Sequence, residues 1–310
     1  MCSRKLVAVI IAGAAAASAW SQVEQGLAWD YPGDAGISSH PSVIFVEDFE
    51  APDIDTLADN WDELQRRQYM TFTNDTPPGS SGRQALSAPG NSDGPGLYRR
   101  LLPGYERLYL RVYAKFDAAC SQVHHFTSLG GSNPVTRYPW PRAGQKPNGS
   151  DHFSTAVEPH EDWQWDYYTV WPGMGCWGPD TSSQCHGNSF LWQAPKPRAE
   201  RGTWFSLELM MKMNTPVSAS NGEQTFWING QPWGQLGPGF PTMTRPVDKW
   251  RPDPGGAPFP GFQWRTANEL LINYLWLYNY TDTDPDCRVS FDHVVVATDY
   301  IGPMRPTTGP

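Results

Sequence analysis

The sequence predicts an all-β protein, an antiparallel β-sandwich with long loops over a concave groove. Three observations carry this. Short runs of β-branched and aromatic residues alternate with Gly, Pro, Asn and Asp clusters along the whole chain. The 29 glycines and 30 prolines among 310 residues cannot sit inside long helices, which removes helical bundles and coiled coils. With 39% hydrophobic, 13% aromatic and only 18% charged residues, the chain can bury a core and does not read as disordered. The 32 acids outnumber the 23 bases, and a formal charge of −9 argues against a nucleic-acid partner.

The first element is not part of the fold. Arg4 and Lys5 precede an apolar run over residues 6–17, and Ala17-Ser18-Ala19 fits a small-x-small cleavage site. Residues 1–19 therefore read as a secretory signal peptide, too short to span a bilayer comfortably. Its removal takes two bases and leaves a charge of −11. A lead segment, 20–40, follows; then one domain, 41–303, and a loose tail, 304–310. No second apolar segment exists, so an exported chain, extracellular or periplasmic, with no membrane contact after cleavage is expected; a monomer is expected as well. Strands are expected at 42–49, 97–102, 107–116, 122–129, 152–157, 165–170, 203–213, 224–229, 269–280 and 289–297. Only 54–68 carries a weak helical pattern. About ten strands without intervening helices indicate a sandwich.

Four cysteines remain after cleavage: Cys120, Cys176, Cys185 and Cys287. An even number in an oxidising compartment suggests two disulfides, and three pairings are possible. The favoured one joins Cys176 to Cys185 across a short loop and Cys120 to Cys287 across distant segments. No C-x-x-C spacing supports zinc.

Strand periodicity locates two functionalised faces. In 107–116, Leu108, Leu110, Val112, Ala114 and Phe116 lie on one side; Tyr109, Arg111, Tyr113 and Lys115 lie on the other. In 203–213, Phe205, Leu207, Leu209, Met211 and Met213 oppose Trp204, Ser206, Glu208, Met210 and Lys212. The apolar sets belong in the core. Aromatic residues interleaved with charges on the other sides suit sugar, whose C–H faces stack on rings and whose hydroxyls bond polar neighbours. Tyr109, Trp204, Glu208 and Lys212 are therefore expected to bind substrate, with Tyr168 on the strand at 165–170. Six tryptophans, 140, 163, 165, 171, 177 and 192, crowd the segment 130–200, which reads as loops over the groove, although any single one could be loop packing.

His124 and His125 fall in an expected strand, where neighbours point to opposite faces and cannot readily share a metal. His124 is placed in the groove as a general base near Arg111 and Tyr113, and His125 joins the binding set. Acidic residues gather where first and last strands pair: Glu47, Asp48 and Glu50 approach Asp292. Glu47, Glu50 and Asp292 would suit a structural Ca²⁺, a cation that takes oxygen ligands. No organic cofactor is expected: Gly173-Met-Gly175-Cys-Trp-Gly178 has the dinucleotide-binding spacing, but Pro179 follows where a helix should begin. No G-x-S-x-G elbow and no paired-carboxylate strand motif appears. Sequons stand at Asn74, Asn148 and Asn279.

The stretch Leu108-Tyr-Leu-Arg-Val-Tyr-Ala-Lys-Phe116, then His124-His125, Gly202-Thr-Trp-Phe-Ser-Leu-Glu208, and Phe291-Asp-His-Val-Val-Val-Ala297 ahead of Tyr300-Ile-Gly-Pro303 resembles secreted jelly-roll proteins of the polysaccharide lyase type. The alginate and glucuronan lyase folds, and the fungal cellulose-induced proteins with their bacterial relatives, are the relevant families. The resemblance implies a concanavalin-like jelly roll, a saccharide groove and a structural calcium. It also implies β-elimination on a uronate polymer: His124 or Tyr113 would take the C5 proton, and Arg111 or Lys115 would hold the carboxylate. A non-catalytic carbohydrate-binding protein using the same groove is the alternative.

Overall fold

The computed structural model describes residues 25–90, 94–138, 144–176, 184–281, 284 and 286–307. The expected signal peptide, Trp140 and Trp177 lie outside the described residues.

Seventeen strands are defined in chain order: β1 Val43–Glu47, β2 Glu63–Gln65, β3 Thr71–Thr73, β4 Ala85–Pro89, β5 Gly96–Tyr105, β6 Arg107–Phe116, β7 His125–Ser132, β8 His152–Pro159, β9 Trp165–Val170, β10 Phe205–Lys212, β11 Glu223–Ile228, β12 Gln231–Leu236, β13 Thr242–Thr244, β14 Arg251–Pro252, β15 Ala257–Pro258, β16 Ile272–Tyr280 and β17 Arg288–Ala297. The helical elements are 3₁₀ turns of five residues or fewer, and the weak helical pattern at 54–68 resolves into two such turns flanking β2. No helix among the described residues is long and apolar enough to cross a membrane.

The strands form two large antiparallel sheets. The first runs β12-β11-β10-β6-β17-β4-β3, with β1 also on β17; the second runs β2-β5-β16-β7-β8-β9. A small third sheet is β14-β13-β15. Alternation supplies the core between the large sheets. Leu108, Leu110, Val112, Ala114 and Phe116 are buried on β6 against Phe205, Leu207, Leu209 and Met211 of β10, as the period of two predicts. The second sheet contributes Phe126, Leu129, Phe153, Val157, Trp165, Tyr167, Leu275 and Leu277. Trp165 and Trp171 belong to this core; they are not loop residues over a groove. Both favoured disulfides are formed, Cys120–Cys287 closing 167 residues and Cys176–Cys185 closing 9.

The outward side of the first sheet is not open. Residues 26–39 and 300–307 lie across it. Ala28, Ile37 and Ile301 pack with Val295 and Ala297 into a second, smaller core. The tail is held as far as Thr307, not loose: Gly33 N–H donates to Arg305 O at 2.8 Å, and Thr307 N–H donates to Gly79 O at 3.1 Å.

Candidate functional site

The covering layer decides the fate of the β6–β10 stripe. Arg111 is fully buried and forks onto Asp34 at 2.5 and 3.3 Å. Its guanidinium and the His293 ring hold the buried Asp34 carboxyl below the usual range, against the cost of burial. Tyr113 accepts Met304 N–H at 2.9 Å, and burial raises its phenol. Glu208 accepts Ile301 N–H and Gly302 N–H, both at 2.8 Å. These three expected groove residues therefore fasten the segments 26–39 and 300–307 to the sheet and face no groove. Tyr109 meets Trp227 and Tyr300 in the same layer. Lys115 pairs with Asp75, which also accepts Trp204 Nε1–H at 3.0 Å, and Lys212 pairs with Glu223 at 2.6 Å. The stripe is real as a face. It works as an internal interface over most of its length because segments remote in sequence lie on it.

The expected calcium set does not fit either. Glu47 spends its oxygens on Phe49 N–H, Asn60 Nδ2 and Trp61 Nε1 at 2.8–2.9 Å, and Glu50 accepts Arg83 and Gln84 N–H. Asp292 is buried with one oxygen lacking a hydrogen bond among the described residues; burial pushes its carboxyl up to about 7, with Asp48 and Glu50 adding to it and His293, 3.9 Å from that oxygen, opposing. The metal-ligand atoms that do converge among the described residues lie elsewhere. Asn279 is buried too, its Nδ2 donating to Ala88 O and Cys287 O, so that sequon is closed to modification in the folded protein.

The second sheet presents a different surface. In β16, Leu275 and Leu277 point into the core, which turns Tyr274, Trp276, Tyr278 and Tyr280 the other way. Ring contacts run across this face. Tyr98 of β5 meets Tyr138 at 5.5 Å, Tyr138 meets Trp276 at 5.6 Å, and Trp276 stacks on Tyr278 at 3.9 Å. Tyr278 meets His125 at 5.9 Å, and His125 meets Tyr168 at 4.7 Å and Tyr280 at 5.5 Å. Glycines opposite make room: a Cβ on Gly130 would stand 2.6 Å from the Tyr274 hydroxyl, and one on Gly96 would stand 2.7 Å from Trp276 Nε1. The sequence carried this signal, since aromatic residues occupy every second position from Tyr274 to Tyr280.

At one end of the row the titratable groups gather. The strand β7 begins at His125, which pairs with Tyr280 past an extra residue on β16, and His124 precedes the strand, where alternation no longer applies. The two imidazoles therefore lie on one side, 3.9 Å apart, which corrects the expectation of opposite faces. His125 Nδ1 is 2.5 Å from Glu158 Oε2. Glu158 is 1% exposed, and its other oxygen has no hydrogen-bond partner among the described residues; His160 Nε2 lies 3.7 Å from it. Burial pushes the Glu158 carboxyl up to about 7, with His160 and His124 opposing and Asp166 reinforcing. Tyr168 is pushed up to about 12 by burial, so it stays protonated near neutrality. Thus His124, His125 and Tyr168 come together as expected site residues, while Glu158, His160, Tyr278 and Tyr280 join them unforeseen.

No family model matches the sequence, and no curated protein matches it. Solved structures do. The alginate lyase vAL-1 from Chlorella virus superposes with a TM-score of 0.54 at 13% identity, covering 81% of this chain and 100% of that one. A variant of the alginate lyase Aly36B in complex with alginate trisaccharide gives 0.52 at 13%, covering 82% and 97%. The cellulose-induced protein Cip1 reaches 0.40 at 15%, covering 76% and 88%. At such identities the likeness to the two lyases establishes the fold: a jelly-roll β-sandwich of the polysaccharide-lyase kind.

Proposed function

We propose that this protein is a secreted polysaccharide lyase that cleaves a uronate-containing polymer by β-elimination on the outward face of the second sheet. The convergence of His124, His125, Glu158, Tyr168, Tyr278 and Tyr280 at one end of an unbroken row of rings carries this reading. Rings stack the C–H faces of consecutive sugars and hold a chain in register. A uronate's C5 proton is poorly acidic until its carboxylate charge is held. His124 and His125 take the carboxylate. Tyr280, as its phenolate, removes the C5 proton, the C4–O bond breaks as the C4=C5 double bond forms, and the protonated Tyr168 hydroxyl gives its proton to the departing glycosidic oxygen. Arg111, Tyr113 and Lys115 have no part in this chemistry.

The half-buried rings beyond the histidines, Tyr138 and Trp276, also favour the second reading, a carbohydrate-binding protein that makes no product. Incubation with a panel of polyuronates, followed by ultraviolet absorbance of the unsaturated product, separates the two. Product is expected from at least one polymer, with the rate in Tyr280→Phe lower by about 10²–10⁴ and the melting temperature unchanged. Binding of polymer without absorbance would overturn the lyase reading in favour of the second.

A further inference from the structure

We propose that His124, His125 and Glu158 form a binding site for a divalent transition-metal ion of the zinc type. One ligand atom from each residue lies within 4.8 Å of the other two, and no two of these residues share a regular strand: His124 precedes β7, His125 opens it, and Glu158 comes from β8. Ligands of a zinc ion stand about 2.0–2.2 Å from it, so small side-chain rotations close this triangle. The second observation is Glu158 itself. A carboxyl group buried this deeply normally has both oxygens hydrogen-bonded, yet Oε1 has no hydrogen-bond partner among the described residues, His160 Nε2 standing beyond that reach at 3.7 Å. An ion would take that oxygen or its neighbour now bonded to His125. His160, 3.7 Å from Oε1, is placed to orient whichever oxygen remains.

The donor set selects the ion. Two imidazoles and one carboxylate suit zinc and its borderline neighbours, whereas calcium requires more oxygen ligands. Three protein ligands leave a coordination position open, the arrangement of sites that engage a substrate. The occupant of that position, an acidic sugar's carboxylate, rests on the lyase reading. That reading otherwise brings a substrate anion up to the Glu158 carboxylate, and a divalent cation between them turns repulsion into a bridge. Glu47, Glu50 and Asp292 have no role in this site.

The test uses the full chain, stripped with chelator and titrated calorimetrically with ZnCl₂ and, in parallel, spectroscopically with CoCl₂. One ion per chain is expected, with visible Co²⁺ bands of a low-coordinate nitrogen-containing site and a raised melting temperature. His124→Ala and Glu158→Gln should each weaken binding by at least about 10–100-fold. Circular dichroism confirms that each variant is folded, and His152→Ala, at the opposite end of β8, should bind as the parent does. Absent one-to-one binding, or binding undiminished in both variants, overturns the site. The two proposals fail separately. Zinc binding with no unsaturated product from any polyuronate sinks the lyase and leaves the site. Product formation by a chain that binds no metal sinks the site and leaves the lyase.

Discussion

The two large sheets carry outward faces of similar sequence character and opposite use. On β6 and β10, Arg111, Tyr113 and Glu208 look like substrate-handling groups, and all three bond to the segments 26–39 and 300–307. On β16 and at the start of β7, Tyr278, Tyr280, His124 and His125 look no more specialised, yet they meet one another, each half-buried, on the other sheet. The difference teaches that polar and aromatic residues on an outward face state a capacity to bond. What they bond depends on whether another part of the chain arrives first.

The covered face should break by unfolding. Arg111→Leu leaves the buried Asp34 carboxylate with the His293 ring alone, and about 3–5 kcal/mol of stability should be lost in urea denaturation. If the loss is under about 1 kcal/mol, typical of an exposed pair, the fastening described here is wrong. Acid sharpens the same point. The folded carboxyl of Asp34 sits below its unfolded value of 3.8, so its contribution is full above that value and is lost as pH falls through the folded one. Urea midpoints should therefore decline on acidification below about pH 4, and Asp34→Asn should flatten part of that decline. Next in size is Glu208→Ala, which strands two buried N–H groups, Ile301 and Gly302; about 1–3 kcal/mol should go in the same assay, with no specific effect on polymer binding.

The outward face of the second sheet should break by losing ligand. Trp276→Ala removes a ring stacked on Tyr278 and should leave the melting temperature near that of the parent while weakening polymer affinity by about 0.5–1.5 kcal/mol in calorimetry. An equal loss of stability and unchanged affinity would make this face a covered one as well.

Much of the fold was legible in the residues. The inward set on β6 followed from alternation alone, and the cysteine pairing from number and spacing. The site was less legible. The tryptophans of 130–200 drew the reading toward loops, although Trp165 and Trp171 are core; the alternating Tyr274, Trp276, Tyr278 and Tyr280 carried the better signal within a strand already expected. His124 and His125 depart from the expected opposite faces because the strand starts at His125 and alternation does not reach His124, and nothing in the pair itself announces that boundary.

Side-chain alternation is a property of a few consecutive residues, so the amino-acid order alone settled which atoms of each strand face inward and that a sandwich would enclose them. Which outward face stays accessible depends on contacts such as Asp34 with His293, 259 positions apart, and Glu158 with His125, brought together only by strand pairing. Those choices belong to the assembled fold, because the energy that makes them comes from surfaces meeting across the molecule and leaves no local pattern to read.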